Sequence, residues 1–275
     1  MLINQFISDE NAKLQFGVLA WLTKKYGPPK KPKVPSPLCK PKQPFELFYS
    51  TDSKTNVHKW AQDHFIEIKQ QCGMEHWSIQ LVRCSQNLSS TRRMLSTHNW
   101  NINSKEPYFV DSYGRPIIFY DPSKCTTAGY FASRVTTKLA EIKLLNYPLE
   151  IAVTPLQSKI MILTAACYMG QGFSVSAMLK QKTFNFWDEE LSTKTLQRVS
   201  ARSLVFSTCL ALLSQKQTPE QIVATYGTIM SKDFRRKIRP ACHQINSYDT
   251  ELDILKILAN PKHEIFERPS LAATA

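Results

Sequence analysis

Histidine and cysteine are the side chains best suited to binding zinc, because imidazole and thiolate are its usual ligands. Cys72, His76 and Cys84 lie within one short span of the chain. Their spacing matches no standard zinc pattern, and no second pair of ligands follows. His58 and His64 are six residues apart on a predicted helix, and therefore lie on different faces. We interpret all five as packing or surface residues and predict no metal site and no cofactor.

The chain also offers little for covalent catalysis or nucleotide binding. Cys125 precedes a predicted helix, whose positive end favours a thiolate, but no histidine is close in sequence to act as its base. The sequence has eight glycines and no glycine-rich phosphate loop. Its seven cysteines form no Cys-x-x-Cys pair, which is typical of a reducing compartment. With no signal peptide and no apolar run long enough to span a bilayer, we expect a cytoplasmic protein.

Positive charge is the strongest compositional signal. The 275 residues include 35 Lys and Arg against 22 Asp and Glu, which gives a net charge of +13. Seven lysines and no acidic residue lie between Lys24 and Lys42. A basic balance favours acidic proteins or nucleic acid as partners, although a solvated surface is the plainer interpretation. The candidate contacts to phosphate or to an acidic partner are Lys30, Lys31, Lys33, Arg235, Arg236, Lys237 and Arg239.

Helices predominate among the elements that would position these residues. Apolar residues recur at helical spacing over 56–71, 126–145, 156–170, 191–214, 218–229, 233–246 and 249–259. A shorter amphipathic helix lies within residues 1–26. Residues 77–82 alternate as a half-buried strand does, and residues 108–111 and 116–120 are predicted to form a hairpin.

The order of these elements resembles that of a known family. A strand at 77–82 is followed by the segment GRPIIFYDPS at 114–123 and then by two long helices. This order is similar to that of an uncharacterised bacterial family of zincin-like metallopeptidase domains, and the resemblance covers about residues 45–240. It implies an α+β, helix-rich zincin-like domain with a small, mainly antiparallel sheet. The same succession of helices also occurs in many unrelated α+β domains.

The resemblance implies that the zinc site of that family has been lost here. In the family, the first helix carries His-Glu-Leu-Ala-His and the second carries an acidic third ligand. Thr137 and Glu141 stand where the two histidines would be, Lys138 where the glutamate would be, and Lys159 where the third ligand would be. A hydroxyl and two ammonium groups cannot replace zinc ligands and a general base. We therefore expect a pseudoenzyme without catalytic residues, in which Glu141 and Lys159 form a salt bridge.

We expect four segments: an amphipathic helix (1–27), a proline- and lysine-rich linker (28–44), the zincin-like domain (45–262) and a loose tail (263–275). The helix either folds back on the domain or docks a partner protein. The candidate docking residues are Phe16, Leu19, Trp21 and Leu22. The favoured function is non-catalytic contact with another protein, for which an acidic surface would suit the charge. A basic nucleic-acid-associated protein is the alternative, and a hydrolase with an unorthodox site ranks last.

Overall fold

A computed structural model of the chain describes residues 5–32, 54–83, 109–110, 113–120, 128–145, 147–148, 154–173, 193–226 and 232–260. The described residues form eight helices and three strands. The helices are α1 (Asp9–Tyr26), α2 (Lys54–Cys72), α3 (Ala128–Lys143), α4 (Pro155–Tyr168), α5 (Thr193–Ser214), α6 (Pro219–Tyr226), α7 (Lys232–Asn246) and α8 (Asp249–Leu258). The strands are β1 (Gln80–Arg83), β2 (Phe109–Val110) and β3 (Pro116–Tyr120).

The chain divides into two compact units, and this division differs from the one predicted. Met1–Val34 groups with Asn146–Ala275 to form what we call the helical unit, and Pro35–Leu145 forms the mixed unit. The predicted domain at 45–262 is therefore divided after Leu145, and the amino-terminal helix belongs to the same unit as the helices from α4 onward. The predicted tail at 263–275 and most of the linker lie outside the described residues.

Local sequence signals explain where α1 begins and ends. The Ser8 hydroxyl accepts a hydrogen bond from the backbone N–H of Asn11 and so caps the first turn. Gly27 follows the last turn with φ at 90°, and its N–H donates to the carbonyl of Thr23. Lys24 and Lys25 lie in the last turn, where the helix dipole favours positive charge.

The apolar face of α1 is part of the core of the helical unit. Val18, Leu19 and Leu22 are fully buried, Phe16 is nearly so, and the helix packs against α4, α5 and α8. The prediction that these side chains dock a partner is therefore corrected, because the chain's own helices already cover them. Trp21 lies half-buried beside this core, with its ring centroid 5.4 Å from that of Tyr147.

Helix α4 is largely buried, but it is not the most buried helix that its sequence predicts, because residues 203–214 of α5 are buried without a break. Thr154 and Gln157 form a capping box, and Pro155 occupies the first turn. Every residue from Ile160 to Gln171 except Ile162 is buried. Helix α5 packs along α4 on one side and along α7 on the other, so α5 links the buried helix to the strongly basic one.

The mixed unit contains a three-stranded sheet in the order β1–β3–β2. The predicted hairpin is present, since β2 pairs antiparallel with β3. The expectation of a mainly antiparallel sheet was wrong, because the longer pairing, from Gln80 with Ile117 to Arg83 with Tyr120, is parallel. Parallel neighbours need a crossover of a dozen or more residues, and the chain between β1 and β3 is long enough to provide one. The helix-rich α+β character is confirmed.

Two helices pack on each other in the mixed unit and cover part of the sheet. Helix α2 contacts α3 and β1, and α3 contacts β3. Most of the two predicted apolar stripes is buried: Ala61, Phe65 and Ile68 on α2, and Phe131, Val135, Leu139 and Ile142 on α3. The other predicted members, Val57, Trp60 and Leu145, are half-buried. Both stripes follow the helical repeat, which explains why sequence alone locates them.

Candidate functional site

The positions on α3 that correspond to the lost zinc ligands are occupied by interactions within the helix. Thr137 is buried, and its Oγ1 donates to the carbonyl of Ser133 at 2.8 Å. The Nζ of Lys138 lies 2.5 Å from Oε2 of Glu141, and the two side chains are 39% and 12% exposed. The hydroxyl and the carboxylate therefore each have a partner inside the same helix.

These residues do not fit zinc. Zinc takes imidazole groups and free carboxylates as ligands. Here the Thr137 hydroxyl is bonded to the helix backbone, and the Lys138 ammonium group is paired with the Glu141 carboxylate. Lys159 belongs to α4 of the helical unit and is half-buried. Its predicted salt bridge to Glu141 would join residues of different units and stays a prediction. Among the described residues, no group of three or more His, Cys, Asp and Glu side chains is arranged to hold a metal ion.

The cysteines and histidines weighed as ligands do not form a cluster. Cys72 is buried at the end of α2, whereas the side chain of His76 is 92% exposed. Cys84 and Cys125 lie outside the described residues. His64 stacks obliquely on Trp60, with ring centroids 4.1 Å apart. The interpretation of Cys72, His76 and His64 as packing or surface residues agrees with these positions.

Sequence reasoning missed one polar pair in the mixed unit. His58 on α2 lies with Nδ1 2.7 Å from Oη of Tyr120, the last residue of β3, and the two rings are nearly parallel. Nε2 of Gln62 donates to the carbonyl of Leu81 at 3.3 Å and lies 3.4 Å from Nε2 of His58. Because a carbonyl can only accept, this contact fixes the amide and makes Nε2 of His58 the acceptor.

That assignment defines the chemistry of the pair. With Nε2 as the acceptor, Nδ1 of His58 donates to Tyr120 Oη, so the imidazole links α2 to the end of β3. His58 and Gln62 are four residues apart and share a helix face, which is the sequence signal that could have suggested a paired role. The geometry describes a buried structural link rather than a catalytic dyad, because the Tyr120 ring is 2% exposed.

The helical unit contains three buried thiols on three helices. These are Cys167 at the end of α4, Cys209 on α5 and Cys242 on α7. Burial raises the pKa of Cys167 to about 12, so this thiol is protonated at neutral pH and is a poor nucleophile. The Cys209 thiol donates a hydrogen bond to Cys242, which raises the pKa of Cys209 and lowers that of Cys242. These cysteines are packing residues of the core.

From Lys232 to His243, one exposed face of α7 carries only positive or titratable basic side chains. Lys232, Arg235, Arg236, Arg239 and His243 are all exposed. They recur at three, four, seven and eleven residues after the first, which places them along one face of an α-helix. We call the first four residues, Lys232, Arg235, Arg236 and Arg239, the basic face of α7. No hydrogen bond or ion pair between described residues involves any of the four.

The rest of α7 fixes the orientation of this face. Phe234, Ile238, Ala241, Cys242 and Ile245 are buried toward α5, α6 and α8. Lys237 lies on the flank and pairs with Asp233, one helical turn earlier. Lys237 was predicted to contact a partner together with the arginines. The structure separates it from them, because it projects to one side of the basic face and its charge is already neutralised.

The other predicted basic contacts come from the start of the linker. Lys30 and Lys31 have exposed side chains, and the backbone N–H of Lys30 donates to the carbonyl of Tyr168 at 2.8 Å. Lys33 lies outside the described residues. The two described lysines are therefore anchored to the end of α4 in the helical unit.

Comparison of this chain with protein-family models, with curated proteins and with solved structures found no match. Within the described residues, none of the helices combines the length and the apolar character that crossing a bilayer requires.

Proposed function

We propose that this chain is a non-catalytic binding protein that acts by contact with an acidic surface of another protein. The basic face of α7 is the observation that carries the proposal. It presents four positive side chains in one row, and the acidic residue beside the row, Asp233, is paired with Lys237 on the flank. Charged rows of this kind speed association and select complementary partners, since like-charged surfaces are repelled.

The non-catalytic part of the proposal rests on the residue types on α3. Thr137, Lys138 and Glu141 stand where the metallopeptidase-like resemblance requires two histidines and a glutamate, and each forms an interaction within the helix. We interpret the fold as a pseudoenzyme of that family, retained for binding. A zincin-like topology is part of this proposal.

An acidic protein suits the basic face better than nucleic acid does. Arginine forks bind carboxylates and phosphates with similar geometry, so charge alone does not decide between them. Nucleic-acid binding also draws on aromatic side chains that stack on bases or on an element that enters a groove. Phe234 is the only Phe, Tyr or Trp on α7, and it is buried against Phe173. The row therefore offers charge with only the single imidazole of His243 as an aromatic surface.

The proposal can be tested with two labelled polyanions and one pair of matched variants. Fluorescence anisotropy would measure binding of poly-L-glutamate and of a short DNA duplex to the wild type and to Arg235→Glu/Arg239→Glu. The control is Lys13→Glu/Lys24→Glu, which changes the net charge equally at exposed positions of α1. Losing two attractive pairs and adding two repulsive ones should weaken poly-L-glutamate binding by roughly tenfold at moderate salt.

Three outcomes decide the question. A loss confined to the α7 variant, with poly-L-glutamate bound at least as tightly as the duplex, supports an acidic protein partner. Equal losses in the α7 variant and the control would show a response to net charge alone and would overturn the proposal. A duplex that binds much more tightly than poly-L-glutamate, with the steep salt dependence of phosphate contacts, would assign the same face to nucleic acid instead.

A further inference from the structure

Two aromatic rings at the end of α1 already hold a cation. Nζ of Lys25 lies 4.8 Å from the ring centroid of Trp21 and 5.5 Å from that of Tyr26. The two rings are in contact, with centroids 5.9 Å apart and planes at 84° to one another. Rings that meet at nearly a right angle form a corner, in which one cation can interact with both π faces. We call Trp21 and Tyr26 the aromatic corner of α1.

A segment distant in sequence packs against this corner. The ring of Tyr147 meets that of Trp21 edge to face, with centroids 5.4 Å apart and planes at 78°. Tyr147 can lie along α1 because Gly17, one turn before Trp21, has no side chain, and a Cβ added there would lie 3.2 Å from the Tyr147 hydroxyl. Gly17, Trp21 and Lys25 follow one another at intervals of four residues and so share a helix face. The orientation of the Trp21 ring is therefore set by tertiary packing.

The exposure and the electrostatics of the corner suit a cationic ligand. Trp21, Lys25 and Tyr26 are all half-buried, so a ligand can reach the rings from solvent. The corner lies at the last turn of α1, where the helix dipole favours positive charge. A lysine ammonium group is compact and strongly hydrated, and its contact with the rings competes with water. A trimethylammonium group covers more of each ring and is the cation that aromatic sites of this kind recognise best.

We propose that the aromatic corner of α1 binds a trimethylammonium group, and that Lys25 is an internal occupant which the ligand displaces. This inference goes beyond the proposed function, because no residue of the basic face of α7 takes part in it. The same group is present in choline and in a trimethylated lysine of another protein. Because Lys25 competes for the rings, the wild type should bind such a ligand weakly.

Removal of Lys25 tests the proposal directly. Saturation-transfer NMR on the methyl protons of choline would measure its binding to the wild type, to Lys25→Ala and to Lys24→Ala. Lys24→Ala is the matched control, since it removes the same charge from an exposed neighbouring position that no cation–π contact involves. Lys25→Ala should bind choline about fivefold more tightly than the wild type, because the competing cation is gone. Lys24→Ala should stay within about twofold of the wild type.

A neutral ligand and a ring variant separate attraction to the cation from apolar contact. Dimethylbutanol, the carbon isostere of choline, has the same shape without the charge and should bind Lys25→Ala about tenfold more weakly than choline does. Trp21→Leu in the Lys25→Ala background keeps apolar bulk and removes one π face, so it should weaken choline binding by about tenfold. Circular dichroism would check that this variant folds. The comparison of the two ligands needs no change to the rings and decides the question even if the variant does not fold.

Four outcomes decide the proposal. Equal gains in Lys24→Ala and Lys25→Ala would show a response to net charge and would overturn it. Dimethylbutanol bound as tightly as choline, or no choline binding to Lys25→Ala, would overturn it as well. If choline binds as expected and a Gly-trimethyllysine-Gly peptide binds more tightly still, the proposal is supported with a methylated protein as the source of the group. Choline bound more tightly than the peptide supports it with a free small molecule as the source.

Discussion

Helices α1 and α7 of the helical unit share one plan and differ in their outer faces. Each buries an apolar stripe, centred on Phe16 and Leu19 in α1 and on Phe234 and Ile238 in α7. The exposed residues of α1 carry mixed charge, with Asp9 and Glu10 in the first turn and lysines further along. The exposed row of α7 carries only basic groups.

This difference changes how an amphipathic helix should be interpreted. An apolar stripe needs a surface to cover it, and in α1 that surface comes from α4, α5 and α8 of the same chain. The apolar stripe of α1 is therefore explained by folding and gives no information about a partner. The outer face of α7 contributes little to packing, so its uniform charge is the feature that folding leaves unexplained.

The largest effect should come from truncating the buried face of α1. Phe16 packs against Phe206 and Tyr248, with ring centroids 6.2 and 5.4 Å away. Phe16→Ala should lower the free energy of unfolding by roughly 3–5 kcal/mol, because it removes buried area and leaves a cavity. Urea unfolding followed by circular dichroism would measure this, with Lys13→Ala on the exposed face as the control, expected to stay within about 0.5 kcal/mol.

A small loss would break the comparison between the two helices. If Phe16→Ala cost less than about 1 kcal/mol, the stripe of α1 could not be a fixed part of the core. It would then be available to a partner, which is one of the two alternatives that the sequence left open.

The next effect concerns the close approach of the linker to α4. Gly170→Ala adds a methyl group against the Lys31 backbone at a position whose φ is +75°, and should cost roughly 2–4 kcal/mol. Gly114→Ala is a matched control, since its φ is +71° and nothing lies within 4 Å of an added Cβ. That variant should cost only the left-handed backbone conformation, about 1–2 kcal/mol. Equal costs in urea unfolding would show that the linker does not rest on α4.

Local signals account for the parts of the fold that sequence could predict. Thr218 followed by Pro219 and Glu220 is a sequence signal for a helix start, and Thr218 does cap the helix that begins at Pro219. The stripe from Phe131 to Ile142, which follows the helical repeat, is buried. Each depends on residues within a few turns of one another. The parallel pairing of β1 with β3 and the packing of α1 on α4 join segments that are far apart in sequence. The apolar pattern of a strand or a helix shows that one face is buried, but it does not show which element covers that face.

The candidate site shows the same limit. Sequence could place Arg235 and Arg239 on one helix face, because the helical repeat fixes their relation. It could not show that His58 contacts Tyr120 sixty-two residues away, because that contact joins two elements. The pair of Lys237 with Asp233 has a signal in its i, i+4 spacing, but only the side-chain directions show that Lys237 pairs there and does not join the arginines. The Glu141–Lys159 salt bridge, which would also join two elements, stays a prediction.

A moderate effect should come from the buried polar contacts that join α1 to its neighbours. Ser207 Oγ on α5 donates to Oε1 of Gln15 at 2.5 Å and lies 3.0 Å from Oγ1 of Thr164. Ser207→Ala leaves the buried Oε1 of Gln15 without its donor, whereas Thr164 keeps its hydrogen bond to the carbonyl of Ile160, and the change should cost roughly 1–3 kcal/mol in urea unfolding. Gln15→Met breaks the same bond but also removes Nε2, which is buried without a partner in the structure, so it should be neutral within about 0.5 kcal/mol. A loss from Gln15→Met as large as that from Ser207→Ala would show that removing the unsatisfied Nε2 does not offset the loss of this bond.

The smallest effect should come from the outer face of α7, where function rather than folding is proposed to reside. Arg235→Ala/Arg239→Ala should change the free energy of unfolding by no more than about 0.5 kcal/mol, because both side chains are exposed and neither pairs with a described residue. Ile238→Ala on the same helix should cost roughly 2–5 kcal/mol, since that side chain is fully buried. If the arginine pair instead cost more than about 2 kcal/mol, these side chains would be needed to hold α7 in place. Their row would then be explained by folding, and the argument that its charge exists for a partner would lose its basis.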